Sequence, residues 1–183
     1  LKNSSRSSIR GGLLALACFS ALALSAGSFA AGLLTDPDPN WQEEDYVLPP
    51  APAEASLRAF FVSSASPNRF FVDERSVSVG RDGVVRYVLV VRTPGGAENV
   101  TFEGIRCATG ERRIYASGRK SGEWAPMKVS EWQPIGDNSY NRPRAALAYD
   151  YFCDGPAAPR DRNHALRRLQ GERDPGEPGG NRP

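Results

Sequence analysis

The stretch "VVRYVLVVRTPGGAENVTFEGIRC", residues 84–107, decides the fold. Its first part is rich in β-branched and aromatic residues, which favour a pleated strand. Alternate positions separate cleanly. Val85, Tyr87, Leu89 and Val91 form a wholly apolar set, while Arg86, Val88, Val90 and Arg92 form a mixed one. A period of two with one apolar side predicts a strand that turns one face to a core. Pro94, Gly95 and Gly96 then turn the chain, and a second strand runs to Cys107. The pair reads as an antiparallel hairpin.

The pattern extends outward on both sides. Upstream, residues 57–64, 69–73 and 76–80 carry the same strand composition, and Arg81-Asp82-Gly83 is a hairpin turn signal,. Downstream, Thr109-Gly110 turns the chain into a strand over residues 112–120. A looser stretch holds Trp124 and Trp132, which suit core packing better than a ligand groove,. The last element, residues 142–153, places Pro143 in a first helical turn and good helix formers after it,. The expected fold class is α+β: a bent antiparallel β-sheet of five to six strands with one C-terminal helix packed on a face.

The ends differ in character from this core. Residues 1–30 open with Lys2, Arg6 and Arg10, continue through the apolar run Leu13 to Ala26, and close on small residues. That is a secretory signal pattern, with cleavage expected after Ala30. An uncleaved anchor is the alternative, although the apolar run falls short of the roughly 20 residues a span needs. Cys18 lies within this leader, so it is expected to be discarded. The leader holds three positive charges and no negative one; against a whole-chain charge of +2, this leaves −1 for the mature chain. The basic balance therefore belongs to targeting, and a nucleic-acid partner loses its support. Residues 31–56 carry prolines at 37, 39, 49, 50 and 52 and read as an extended arm, on which Trp41 and Leu48 are able to dock,. The globular domain is expected over 57–153. Residues 154–183 are dominated by Pro, Gly, Arg and acidic residues and are expected to be disordered,.

Export bears on the cysteines. Cys107 and Cys153 stand 46 positions apart, which is neither a redox pair nor a zinc pair, and the chain's single histidine, His164, lies in the tail,. An oxidising compartment makes a disulfide natural, with two buried thiols as the alternative. On a chain-entropy view such a bond stabilises by about 4 kcal/mol. It would tie the last helix to the sheet.

Other chemistry is sparse. No phosphate-binding loop precedes a helix, and no cofactor or metal site is expected. The neighbouring carboxylates Glu43/Glu44 and Asp73/Glu74 read as solvated surface. Asp150 is expected to pair with an arginine such as Arg144. Asn99-Val100-Thr101 matches a glycosylation acceptor but falls inside a strand.

A two-residue turn at Thr109-Gly110 would set Cys107 opposite Arg112, Ile105 opposite Ile114 and Glu103 opposite Ala116. On that register Arg106 and Arg113 become cross-strand neighbours. Arg86, Arg92, Arg106, Arg113 and Arg119 would then share the outward face with Val88, Val90, Phe102 and Tyr115. An ordinary solvated face is one reading. The other is a basic-aromatic surface that receives an acidic partner, since arginine forks suit carboxylates and aromatic side chains enrich interfaces.

The block "RYVLVV", then "GAENVTFEGIRC", "YASG", two tryptophans and a closing "YFC" resembles the cryptic neisserial protein-like family over roughly Trp41 to Cys153. The resemblance implies an exported bacterial protein without an established activity. The layout is more loosely similar to the surface-adhesin protein E group, which implies a sheet with a disulfide-tethered helix. The expected function is a non-enzymatic periplasmic or cell-envelope binding module. Its partner would be an envelope protein or an acidic polymer. The alternatives are a surface adhesin and a small envelope enzyme.

Overall fold

The strands follow one another in space as they do in sequence. They are β1 (Leu57–Phe60), β2 (Arg69–Val79), β3 (Val84–Arg92), β4 (Glu98–Arg106), β5 (Glu111–Gly118) and β6 (Trp124–Pro126). All pairs are antiparallel in the order β1-β2-β3-β4-β5-β6, and a two-residue β7 (Gln133–Pro134) pairs with β5. This computed structural model describes residues 38–136 and 138–172. The expected leader, its cleavage after Ala30, Cys18 and the chain beyond residue 172 lie outside the described residues.

The two alternating sets of β3 go where their polarity sends them. Val85, Tyr87 and Leu89 lie in one core with Phe70, Val72 and Ile105, beneath Leu147, Phe152, Ala165 and Leu169. Val88 and Val90 lie on the other face with Phe71, Phe102 and Tyr115. Two segments of the expected β2 region merge into one strand. Its pairing with β3 jumps between Asp73 and Ser78, and Ser76 plugs the gap: its hydroxyl accepts from the Val88 N–H at 2.8 Å and donates to the Asp73 carbonyl at 2.7 Å.

The last helix begins as α1 (Arg142–Ala146) with Pro143 in its first turn and widens into a π-helical stretch, Leu147–Phe152. Cys107 and Cys153 form the disulfide, with 5.6 Å between their Cα atoms. It joins the end of the β4 hairpin to the end of the helix.

Three expectations are corrected. First, the connection between β4 and β5 is a four-residue turn, Cys107 to Gly110, closed by Gly110 N–H donating to the Cys107 carbonyl at 3.3 Å. Gly110 takes the positive φ of +64° that ends it,. The register therefore shifts by two: Ile105 faces Arg112, Glu103 faces Ile114 and Arg106 faces Glu111. A bulge follows, so Ala116 faces Phe102,. Arg106 and Arg113 are not cross-strand neighbours.

Second, the tail is not all loose. Residues Arg162–Leu169 form α2, capped by Asp161, whose carboxylate accepts from the His164 N–H at 2.8 Å. Ala165 and Leu169 are buried in the helix-side core. Arg168 is buried too, its guanidinium donating to the carbonyls of Tyr151 and Cys153 at 2.8 and 2.9 Å. Composition averaged over thirty residues concealed these few docking positions.

Third, Arg144 pairs with Glu103 of β4. Asp150 was the expected partner because it lies on the same helix. Glu103 is brought under α1 by the sheet.

Candidate functional site

The basic-aromatic face exists, and the chain's own arm lies across it. Trp41 places its ring against the Arg106 guanidinium, 3.8 Å from the ring centroid, and meets Trp132 edge-on at 5.8 Å. Glu43 sits at the centre. Its carboxylate accepts from Arg113, from the Tyr115 hydroxyl at 2.6 Å and from the Trp132 indole at 3.1 Å. Arg86 approaches it at 3.4 Å. Gly104 permits this arrangement, since a Cβ there would overlap the Tyr115 hydroxyl.

The next residues fasten the arm to the β2–β3 turn. Glu44 pairs with Arg81 at 2.7 Å, and its N–H donates to Asp82 at 2.9 Å. Asp82 also binds Arg86 at 2.5 Å. Burial works against the charged form of Asp82, yet the Arg86 guanidinium and the N–H groups of Glu44 and Val84 hold its carboxyl below the ordinary value,. Tyr115 is pushed above the usual phenol range, first by burial and then by Glu43, so it stays a neutral donor. Tyr46 stacks on Tyr115 with centroids 4.2 Å apart, and Trp124 donates to the Pro49 carbonyl at 2.6 Å.

The expected surface residues thus divide. Arg86 and Arg106 are buried, and Arg113 serves Glu43. Phe102 and Tyr115 are buried under the arm. Arg92 lies toward one end, held by Glu54 and Glu98. Arg119 is exposed in the β5–β6 connection. Glu43, expected as solvated surface, is the carboxylate that Arg86 and Arg113 share, and Glu44, expected likewise, pairs with Arg81 of the β2–β3 turn. The signal was present as two acids beside Trp41 in an arm otherwise hard to place, opposite a face rich in arginine.

With helices on one face and the arm on the other, an open cleft among the described residues lies at the end of the sheet beside α1. The expected strand over 57–64 stops at Phe60, and residues 61–65 form one wall of a cleft of about 720 Å³. Ile135 and Gly136 border it, and Arg142, Ala145 and Tyr149 form the opposite wall. Tyr151 positions the first wall: its hydroxyl accepts from the Phe61 N–H at 3.0 Å. Phe61 itself is 66% exposed. The π-helical widening is thus part of the site, with Tyr149 in the cleft and Tyr151 on its wall; such widenings recur at functional sites.

A second depression of about 400 Å³ continues beyond Arg142, between Ser66-Pro67-Asn68 and Arg144. Two of its lining residues, Thr101 and Arg144, bond a fully buried carboxylate, that of Glu103. Thr101 donates to Glu103 at 2.6 Å, and Arg144 meets the same carboxylate at 2.5 and 2.9 Å. Tyr87 lies beneath at 3.3 Å, its hydroxyl raised well above the phenol range by burial and by Glu103. Among the described residues, no three His, Cys, Asp or Glu side chains come together as metal ligands would.

The CNP1-like family model matches residues 36–170. The chain belongs to that family. Among CNP1-like proteins it is similar to "Cryptic neisserial protein 1" of Neisseria gonorrhoeae (strain ATCC 700825 / FA 1090), at 27% identity over 147 residues, 71% of each chain. No solved structure matches. The CNP1-like match begins before Trp41 and runs past Cys153, the expected limit, through α2. The docked arm, the cleft and the second helix therefore all fall within the family's span.

Proposed function

We propose that this CNP1-like protein is an exported, non-enzymatic binding module of the bacterial cell envelope, and that the cleft beside α1 takes its partner. The observation that carries this reading is the distribution of cover. Helices close one sheet face and the arm closes the other, while the cleft stays open with Phe61 exposed at its edge. Concave surfaces that mix apolar walls with a few polar groups are where proteins hold ligands. Export is supported by the disulfide, which belongs to oxidising compartments, and by the secretory pattern of the first thirty residues,.

Two measurements test this. Fractionation of cells producing the full chain should place it in the spheroplast supernatant; digestion by protease on intact cells would favour the adhesin alternative. The purified domain, used as bait in envelope extract, should retain a partner that Phe61→Ser loses. Equal retention by both proteins would remove the cleft from the proposal.

A further inference from the structure

The two depressions have a charge imbalance that points to a class of ligand. Their described lining residues include two arginines, Arg142 and Arg144, and no carboxylate. Arg144 is neutralised by Glu103. Arg142 is exposed, makes no ion pair among the described residues, and borders both depressions. A guanidinium that meets no carboxylate among the described residues, between two partly apolar hollows, has a natural complement in an anion that brings apolar groups with it,.

The apolar part is furnished on the same walls. Phe61, Val62, Ile135, Ala145 and Tyr149 line the larger hollow, and Phe70 and Val91 help to line the smaller. Hollows of about 720 and 400 Å³ that adjoin through Val62, Ala65 and Arg142 suit an elongated occupant,. Serines 63, 64 and 66 on the facing loop lie within the same lining and add hydroxyls that suit an anionic head group,.

We infer that the cleft binds an elongated amphiphile whose single anionic group sits at Arg142 and whose apolar body lies along Phe61 and Tyr149. This rests on the cleft being the binding site, and adds the ligand's charge and shape. Phe61 and Arg142 are both exposed, so replacing them leaves the core intact.

The test uses the folded full-length domain and two fluorescent probes, anionic anilinonaphthalene sulfonate and uncharged N-phenylnaphthylamine, with thermal melts as the control for folding. Wild type should bind the anionic probe at one saturable site. Arg142→Gln should weaken it about tenfold, Arg142→Lys should restore most of the loss, and the neutral probe should bind the Arg142 variants like wild type. Phe61→Ser should weaken both probes. Equal affinity of wild type and Arg142→Gln for the anionic probe overturns the anionic assignment, while a Phe61 effect on both probes would still leave the cleft as the site. Absence of saturable binding by either probe overturns both.

Discussion

Glu103 of β4 and Arg144 of α1 meet through two hydrogen bonds, at 2.9 and 2.5 Å, inside the interface between sheet and helix. The carboxylate is fully buried and the guanidinium nearly so. Burial lowers the arginine's affinity for its proton, but Glu103 more than reverses this. Such a pair stabilises little over a well-packed apolar one, because both charges are desolvated, but removing one partner strands the other. Glu103→Gln or Arg144→Met should each cost about 3–5 kcal/mol in urea unfolding, and the combined Glu103→Leu/Arg144→Met protein should recover much of it. A single substitution that costs less than 1 kcal/mol would mean that water reaches the pair, about the value of an exposed one.

The arm should behave as part of the domain. Glu43→Gln leaves Arg113 and Arg86 without their shared carboxylate, and a loss of about 3 kcal/mol is expected. Arg106→Ser with Arg113→Ser should likewise destabilise, because Arg106 supports Trp41 and Arg113 supports Glu43. A double variant as stable as wild type, by denaturant melt, would show that the arm contributes nothing.

The second helix gives the clearest departure from a disordered tail. Leu169 is 3% exposed in the helix-side core, so Leu169→Ala should cost about 2–5 kcal/mol. Asp161→Ala, which removes the cap on the His164 N–H, should cost about 1 kcal/mol. Unchanged melting temperatures for both would return the segment to a loose tail.

The pH dependence follows from Asp82. Its folded pKa is depressed relative to the ordinary carboxyl, so its contribution is complete above the unfolded value of about 3.9 and is lost as pH falls through the folded one. Unfolding free energy should therefore hold steady above about pH 5 and decline below it. Asp82→Asn should flatten part of that decline; the same slope in both proteins would assign it to other carboxylates.

Removing the disulfide by Cys153→Ser should cost about 4 kcal/mol on the chain-entropy view of its 46-residue separation,. The oxidised protein should show no free thiol at Cys107 or Cys153 in denaturant.

Most of what was legible in the sequence is local, with the disulfide across 46 positions as the exception. The alternation in β3 assigned Val85, Tyr87 and Leu89 to one face, and turn residues separated the strands. The shortage of other chemistry for Cys107 and Cys153 left the disulfide. Apart from that one covalent link, tertiary structure decided what needed a partner far along the chain. Glu43 finds Trp132 across 89 positions, and Glu103 finds Arg144 across 41, and neither separation leaves a pattern in one sequence. The strand register also lay beyond it. A shift of two residues preserves the faces, so hydrophobic alternation alone does not choose between a two-residue and a four-residue turn. That the second sheet face is covered also depended on tertiary structure, because an extended arm carries no periodicity and shows its place only where its side chains meet their donors.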